Sequence, residues 1–488
     1  MAELTEQVKS LVGRARELSA DPTVDQRLAA VQQRLDEPLR VAIAGKVKAG
    51  KSTLLNALVG EQLAPTDAGE CTKIVTWYQH GHTYRVTLDL LDGRSKPARF
   101  SREGGAIDID LDGIAAENVA RIVVEWPTKR LADVTLIDTP GVASINSSVS
   151  KRALALLIPD DDRPVEADAV LYLMRHMHAD DLSFLESFHD DELAHPSPVN
   201  AIGLLSRADE VAVGRTDAMR VAERIAARYR TDERLRRLCQ TVLPVGGLLA
   251  ETAATLTQDE FEALEQMSGL DRGMVEKLML SADRFVADTP DCSVPPLVRR
   301  HLLDRFGMFG VRTSLPMIRQ GRATTAAELA TALDSRSGVV ALREDLLERF
   351  ANRRDVLRAR SAMLAVDRAL DHMPESAAGE LESEIERIRA GAHAFAEIRL
   401  LNDCRRGLVA FPGVDGDEIE RLLGTAGSAP AARLGVDASA APEDVRGRLL
   451  AEIEKWRRKG AHPLVTREVA DAASVLVRTC EGALADMG

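Results

Sequence analysis

An α/β domain on a mixed, mostly parallel sheet with flanking helices, followed by an α-helical bundle, is the architecture this 488-residue chain encodes. Three observations lead there. From residue 38 to about 320, short apolar runs alternate with helix-period segments, as in a sheet covered on both faces. One of those runs, Val41–Gly45, passes straight into a glycine-rich turn and then a helix. Beyond Gly321 the strand signals stop, and apolar residues recur at helical spacing.

Taken in order, Glu3–Leu35 carries Leu4, Val8, Leu11, Ala15 and Leu18, then Asp21-Pro22, then Leu28, Val31 and Leu35. That spacing predicts a helix, a proline break and a second helix. Residues 1–37 are expected to join the bundle, because a two-sided helical face needs partners. Residues 38–320 form the α/β domain, with Phe100–Asp112 as a loop or hairpin insertion and Ala250–Pro296 as helices flanking the sheet. Residues 321–488 form the bundle. A long helix carrying Leu342, Phe350 and Leu364 runs to Pro374, followed by Glu380–Val409, Asp417–Leu423, Pro442–Arg458 and Val465–Met487. Gly321 and Ser335–Gly338 are candidate hinges between the two parts.

The loop after the first strand carries the chemistry. Gly45, Lys46, Val47, Lys48, Ala49, Gly50, Lys51 and Ser52 fit G-x-x-x-x-G-K-[ST] position for position. Between a strand and a helix, such a loop aims backbone N–H groups and a helix N-terminus at phosphate. Lys51 reaches the outer phosphates, and the Ser52 hydroxyl is placed to hold Mg²⁺. Thr135–Gly141 (T-L-I-D-T-P-G) puts Asp138 where a metal-ordering carboxylate belongs, and Gly141 where backbone can approach a γ-phosphate. Ala201–Asp209 (A-I-G-L-L-S-R-A-D) closes on Asp209, whose carboxylate can accept both N1–H and 2-amino bonds from guanine. Val242–Gly247, with Val245 and Gly246 at its turn, is suited to closing over the base. This order of motifs specifies a P-loop GTPase domain that binds GTP or GDP with Mg²⁺.

The chain resembles the bacterial dynamin-like GTPases, and within them the isoniazid-inducible branch of mycobacteria and other actinobacteria. The residues that carry the resemblance are Gly45–Gly60, Ala64–Trp77, Val124–Pro127, Asp138–Gly141, Ser206–Glu210 and R-F-G-M-F-G-V-R at Arg305–Arg312, with narrower matches at Ala431–Asp437 and Trp456–Leu464. It implies a GTPase head on a helical stalk, with Lys51, Ser52 and Thr53 on phosphate and metal. Thr72 then falls on the switch threonine that coordinates Mg²⁺ and helps place the attacking water. Asp138 and Gly141 fall on the second switch, and Asp209 on the guanine reader. It also implies association through GTPase domains, possibly a second dynamin-like partner, and remodelling or protection of the inner face of the plasma membrane.

Two departures from the family's pattern matter, and one from that of small GTPases. The guanine-reading tetrad is Ser206-Arg207-Ala208-Asp209, and Arg207 can stack over the purine. Val47 and Lys48 occupy loop positions where eukaryotic dynamins place small polar residues that position a monovalent cation. The Lys48 ammonium is a candidate substitute for that charge, against the plainer reading of a solvated lysine. Val142 stands where small GTPases carry a water-orienting glutamine, which predicts slow hydrolysis until two heads associate.

Composition narrows the alternatives. A net charge of −13 without a long basic tract argues against nucleic acid, and so against the main rival, a ribosome-assembly GTPase with an RNA-binding appendage. A GTP-regulated scaffold without membrane work is the second rival. Five scattered cysteines without C-x-x-C spacing, and a polar Met1–Ser10, predict a cytoplasmic chain. No apolar run approaches the ~20 residues of a spanning helix, so membrane contact is peripheral. The arginines of Arg343–Arg360 read as an exposed, salt-bridged helix face. Trp456-Arg457-Arg458-Lys459 reads as a stalk-packing tryptophan with solvated neighbours, with an anionic lipid surface as the alternative, and Phe411-Pro412-Gly413 as a second candidate for a lipid-touching tip. His176 and His178 read as a polar loop, and Asp160–Asp162 as a solvated turn.

Overall fold

The computed structural model describes residues 2–64, 74–103, 106–140, 167–177, 181–182, 185, 201–289, 292–345, 354–405 and 407–487. Ten strands form one sheet: β1 (Leu39–Gly45), β2 (Thr76–His80), β3 (Arg85–Leu90), β4 (Ser95–Glu103), β5 (Ala106–Asp110), β6 (Val119–Trp126), β7 (Val134–Asp138), β8 (Ala169–Met174), β9 (Ala201–Ser206) and β10 (Val242–Val245). Their order is β10-β9-β8-β1-β7-β2-β6-β3-β4-β5. The first five in that order are mutually parallel. β8 and β9 are buried at every residue, which explains their unbroken apolar sequences.

The other half of the sheet departs from a strict strand–helix alternation. β2 runs antiparallel to β7, and β3, β4 and β5 continue as antiparallel neighbours with only a single 3₁₀ turn, Ala116–Asn118, before β6. Here only one face is covered, so burial alternates along β6. Phe100–Asp112 falls on the β4–β5 hairpin, with Phe100 opposite Ile109. On the edge strand Ile107 and Ile109 point inward, while Asp108 and Asp110 face solvent and discourage further pairing.

Helices α1 (Ala2–Leu18) and α2 (Pro22–Arg34) are separated by Asp21, whose carboxylate caps α2 by accepting from Thr23 N at 2.7 Å. Val8, Leu11, Val12 and Ala15 of α1 are fully buried in one core with Ala359, Met363 and Val366 of the helix Arg354–Leu370. Arg14 adds ion pairs to Glu380 and Glu384 of the helix Glu375–Gly391. The expected helix Glu380–Val409 is two helices, Glu375–Gly391 and His393–Arg405, broken at extended Ala392. His393 Nε2 lies 2.9 Å from Thr479 Oγ1, which anchors the second piece to the C-terminal helix Arg467–Ala485.

Helix Ala326–Asp334 shares its core with head helices: Leu329 and Leu333 pack in one cluster with Leu249 and Phe306. The Ser335–Gly338 turn is docked on β10, since Gly246 N–H donates to Ser337 O at 2.8 Å. Two arginines assigned to an exposed face lie inside instead. Arg343 donates to Ala57 O at 2.6 Å and pairs with Asp334, and Arg358 donates to Leu35 O at 3.1 Å. Both satisfy carbonyls at helix ends, a demand no local charge pattern reveals. Trp456 is fully buried, edge-on to Phe411 at 5.0 Å, with its indole N–H donated to Glu452. The lipid-facing alternative for that pair is thereby excluded. No helix among the described residues is long and apolar enough to cross a membrane.

Candidate functional site

The site begins where β1 ends. Val41 to Ala44 are wholly buried between β7 and β8, so the chain can turn only after Gly45. At φ +148, Gly45 passes so close to β8 that an added Cβ would sit 2.6 Å from Leu173 O. A larger residue there would displace the loop. Lys48 takes a left-handed conformation (φ 63), which folds the loop over before helix α3 (Lys51–Val59) begins. The Lys51 ammonium curls back across the loop, donating to Gly45 O at 3.2 Å and Lys46 O at 3.4 Å. Burial pushes its pKa down and Asp138 pulls it up. An ammonium held by two loop carbonyls among the described residues, at a helix N-terminus, is set for a phosphate.

Asp138 lies at the end of β7, beside the loop. The Ser52 hydroxyl donates to its Oδ2 at 3.0 Å, while Oδ1 is buried without a partner. Burial raises the Asp138 carboxyl to about 6 against the pull of Lys51 and Ser52. A hydroxyl and an under-satisfied carboxylate side by side suit an oxygen-seeking Mg²⁺. Thr72 and Gly141, expected on the same metal and phosphate, lie outside the described residues.

The opposite wall comes from β9 and β10. Ser206 ends β9, Arg207 is left-handed (φ 53), and Ala208–Glu210 makes one 3₁₀ turn that buries Asp209. Burial raises the Asp209 carboxyl to about 6. Gly246, after β10, is packed so tightly that a Cβ there would meet Asp209 Oδ1 at 3.1 Å. Arg207, expected to stack on a purine, instead spans two loops in this structure. It donates to Lys48 O at 3.0 Å and to Glu210 at 2.8 Å. Between these walls lies a cavity of about 130 Å³, lined by Ala49, Gly50, Thr53, Ser206, Arg207, Asp209 and Val245 among others. Ser206 Oγ is buried with no partner. The tertiary structure thus brings the phosphate-loop motif and the segment Ser206–Asp209, expected to read the base, to one cavity. Lys48 and Val47 lie exposed at its rim.

Some contributors escaped the sequence reading. Asn56, buried in α3, donates to Ala64 O at 3.0 Å and Glu251 at 2.8 Å, and accepts from Leu63 N and Ala64 N. It thereby holds the chain just before the segment that carries Thr72. An asparagine inside L-L-N-A-L was the available signal. The R-F-G-M-F-G-V-R motif also gains a physical role. Its helix, Pro296–Arg319, kinks at Gly307 (φ 61), and a Cβ there would lie 3.9 Å from Asp209 Oδ2. Arg312 then donates to Val213 O and Gly214 O, clamping a left-handed turn at Ala212 and Val213. Lys46 pairs at 3.6 Å with buried Asp181, which also accepts from the Tyr172 hydroxyl at 2.7 Å. His176 is exposed and His178 lies outside the described residues, as do Asp160–Asp162. No group of three metal-binding side chains occurs among the described residues.

Comparison with known proteins agrees with this geometry. Residues 41–185 match the model of the Dynamin family. The isoniazid-induced protein IniC of Mycobacterium tuberculosis is 40% identical over 460 residues, covering 94% of this chain and 92% of that protein. A bacterial dynamin-like protein of Nostoc punctiforme is 29% identical over 148 residues, covering 28% of this chain and 20% of its own length. The isoniazid-induced protein IniA of Mycobacterium tuberculosis is 32% identical over 158 residues, covering 30% of this chain and 23% of its own. With an IniC-like relative aligned across nearly its whole length, the chain belongs to the bacterial dynamin-like GTPase family.

Proposed function

We propose that this protein binds GTP with Mg²⁺ and hydrolyses it to GDP and phosphate, and that head-to-head association accelerates the reaction. The cycle is coupled to movement of the stalk, and the work is done at a membrane surface, with the inner face of the plasma membrane as the target. What supports the reading most is the single cavity shared by Gly50 and Thr53 of the phosphate loop and Ser206 and Asp209 of the base loop. Family membership supports the same reading.

In this mechanism Lys51 leaves its two carbonyls to hold the outer phosphates, and the loop N–H groups from Lys46 to Ser52 take the inner ones. Asp209 accepts the guanine edge, and Ser206 Oγ gains the partner it lacks in the free protein. Ser52, Asp138 and Thr72 would hold Mg²⁺, which would supply positive charge against that of the phosphate oxygens. Lys48 and Gly141 are proposed to stabilise charge and sense the γ-phosphate, and with no glutamine at Val142, water is ordered only when a second head covers the site. GTP turnover per molecule across a protein-concentration series, with and without anionic liposomes and with Lys51→Ala as blank, tests this. A rise with concentration and a further rise with liposomes is expected. Flat turnover in both series refutes assembly activation and membrane work.

A further inference from the structure

Away from the nucleotide site, a cavity of about 420 Å³ opens between the helices Arg354–Leu370, Glu375–Gly391 and His393–Arg405. Its apolar wall is Met363, Leu364, Phe395 and Ile398, and its polar wall is Arg360, Arg389, Arg399 and Asn402 with the carboxylates of Glu386 and Asp403. The cavity sits at the head end of the bundle. Two residues before Arg360, Arg358 donates to Leu35 O, and one turn after Asn402, Arg405 donates to Cys239 O and Gln240 O.

The polar groups here are unfinished. Asn402 is 5% exposed, and its Oδ1 is buried without a hydrogen bond. Arg360 is partly buried and has no carboxylate or carbonyl partner among the described residues, whereas Arg389 pairs with Glu386 at 3.1 Å. Burial depresses the Arg360 pKa, and neighbouring Arg389 depresses it further. Glu386 and Asp403 also line the cavity, but neither pairs with Arg360, and a partly buried guanidinium without a paired carboxylate costs free energy in the free protein. Native proteins leave few such groups unless something else satisfies them.

We infer that this cavity is a binding site for a single-chain anionic amphiphile with a hydroxylated head. The anion faces Arg360 and Arg399, the hydroxyl donates to Asn402 Oδ1, and the chain lies against Met363, Phe395 and Ile398. The volume falls within the roughly 300–1,000 Å³ of small-ligand pockets. With Arg389 paired to Glu386, Arg360 and Arg399 outnumber Asp403, so the polar wall disfavours a purely apolar guest, while a small free anion has no use for the apolar half of the surface.

The test uses the full chain without nucleotide, so its outcome is separate from GTP turnover. Lysophosphatidylglycerol, below its micelle concentration, is expected to bind one per chain in calorimetric titration and to raise the Tm. Lysophosphatidylcholine with the same acyl chain and glycerol 3-phosphate without one are the comparison arms. Both are expected to bind at least roughly tenfold more weakly, as loss of a bond to a charged group or of the chain burial predicts. Arg360→Met, which removes an uncompensated charge, is expected to raise the Tm and weaken lysophosphatidylglycerol binding roughly 10- to 100-fold. Should that variant not fold, Asn402→Leu reads the same site and is expected to weaken binding about tenfold. Equal binding of lysophosphatidylcholine overturns the anionic head, and equal binding of glycerol 3-phosphate overturns the chain. Undiminished binding by the folded variant overturns the site.

Discussion

The nucleotide cavity and the joint between head and stalk treat buried charge in opposite ways. At the joint, Arg405 is almost wholly buried and fully used: it donates to Glu420 Oε2 at 2.8 Å and to the carbonyls of Cys239 and Gln240. Arg236 closes the other carboxylate oxygen of Glu420 at 2.6 Å. Around the candidate nucleotide site, Asp138 Oδ1 beside the phosphate loop and Ser206 Oγ in the cavity wall are buried with no partner. Even the signs of titration differ. Burial raises Glu420, but Arg405 and Arg236 outweigh it and hold its carboxyl below the usual range, whereas Asp138 and Asp209 rise to about 6. A satisfied network makes a stiff joint; an unsatisfied one is a place for a ligand.

The sharpest way to break this contrast is Arg405→Ala. It leaves Glu420 with Arg236 alone and removes the donor to two carbonyls, and is expected to cost about 3 kcal/mol in urea unfolding with GTP affinity unchanged. A loss near zero would mean the joint is not stiffened by this network. Lys51→Ala should do the reverse. GTP binding falls roughly 100-fold, as loss of charge-assisted bonds to phosphate predicts, while stability holds. Equilibrium nucleotide titration beside thermal unfolding separates the two readouts.

Between these extremes stands Asn56, a satisfied network inside the head. Asn56→Ala leaves the N–H groups of Leu63 and Ala64 unpaired and is expected to cost about 2 kcal/mol by urea unfolding. The smallest effect is the pH contrast. A carboxyl raised to about 6 from 3.8 burdens the folded state above pH 6, and the burden vanishes below about pH 4. Asp138→Asn should therefore stabilise the nucleotide-free protein by about 1–2 kcal/mol at pH 7.5, with the gain fading as acid is added. The lowered Glu420 works the other way: its contribution is present above its unfolded pKa and is lost as pH falls through the folded value. Asp209 must ionise to accept two guanine bonds, so GTP affinity should fall as pH drops through about 6.

The parts of the site legible beforehand are those whose chemistry is local. Gly45–Ser52 and Ser206–Asp209 are runs of consecutive residues in which the backbone turn and the side-chain type are specified together. Arg207 shows where that legibility ends, because its bond to Lys48 O spans 159 residues. The antiparallel half of the sheet was obscured for a related reason. β2 and β6 pair in parallel although 38 residues separate His80 from Val119, and β3 to β5 are inserted between them. Alternating burial of moderate amplitude does not say which neighbour a strand takes.

By itself, then, the order of residues determined a phosphate-loop motif between a strand and a helix, a carboxylate just after a second strand, and helices thereafter. Each is a matter of short-range geometry and of period. Only the tertiary structure decided that Arg343 and Arg358 turn inward, that Ser335–Gly338 docks on β10, and that Arg405 ties the stalk to the carbonyls before that strand. A buried donor takes whichever acceptor the packing brings near, and that partner is set by the whole fold rather than by sequence neighbours.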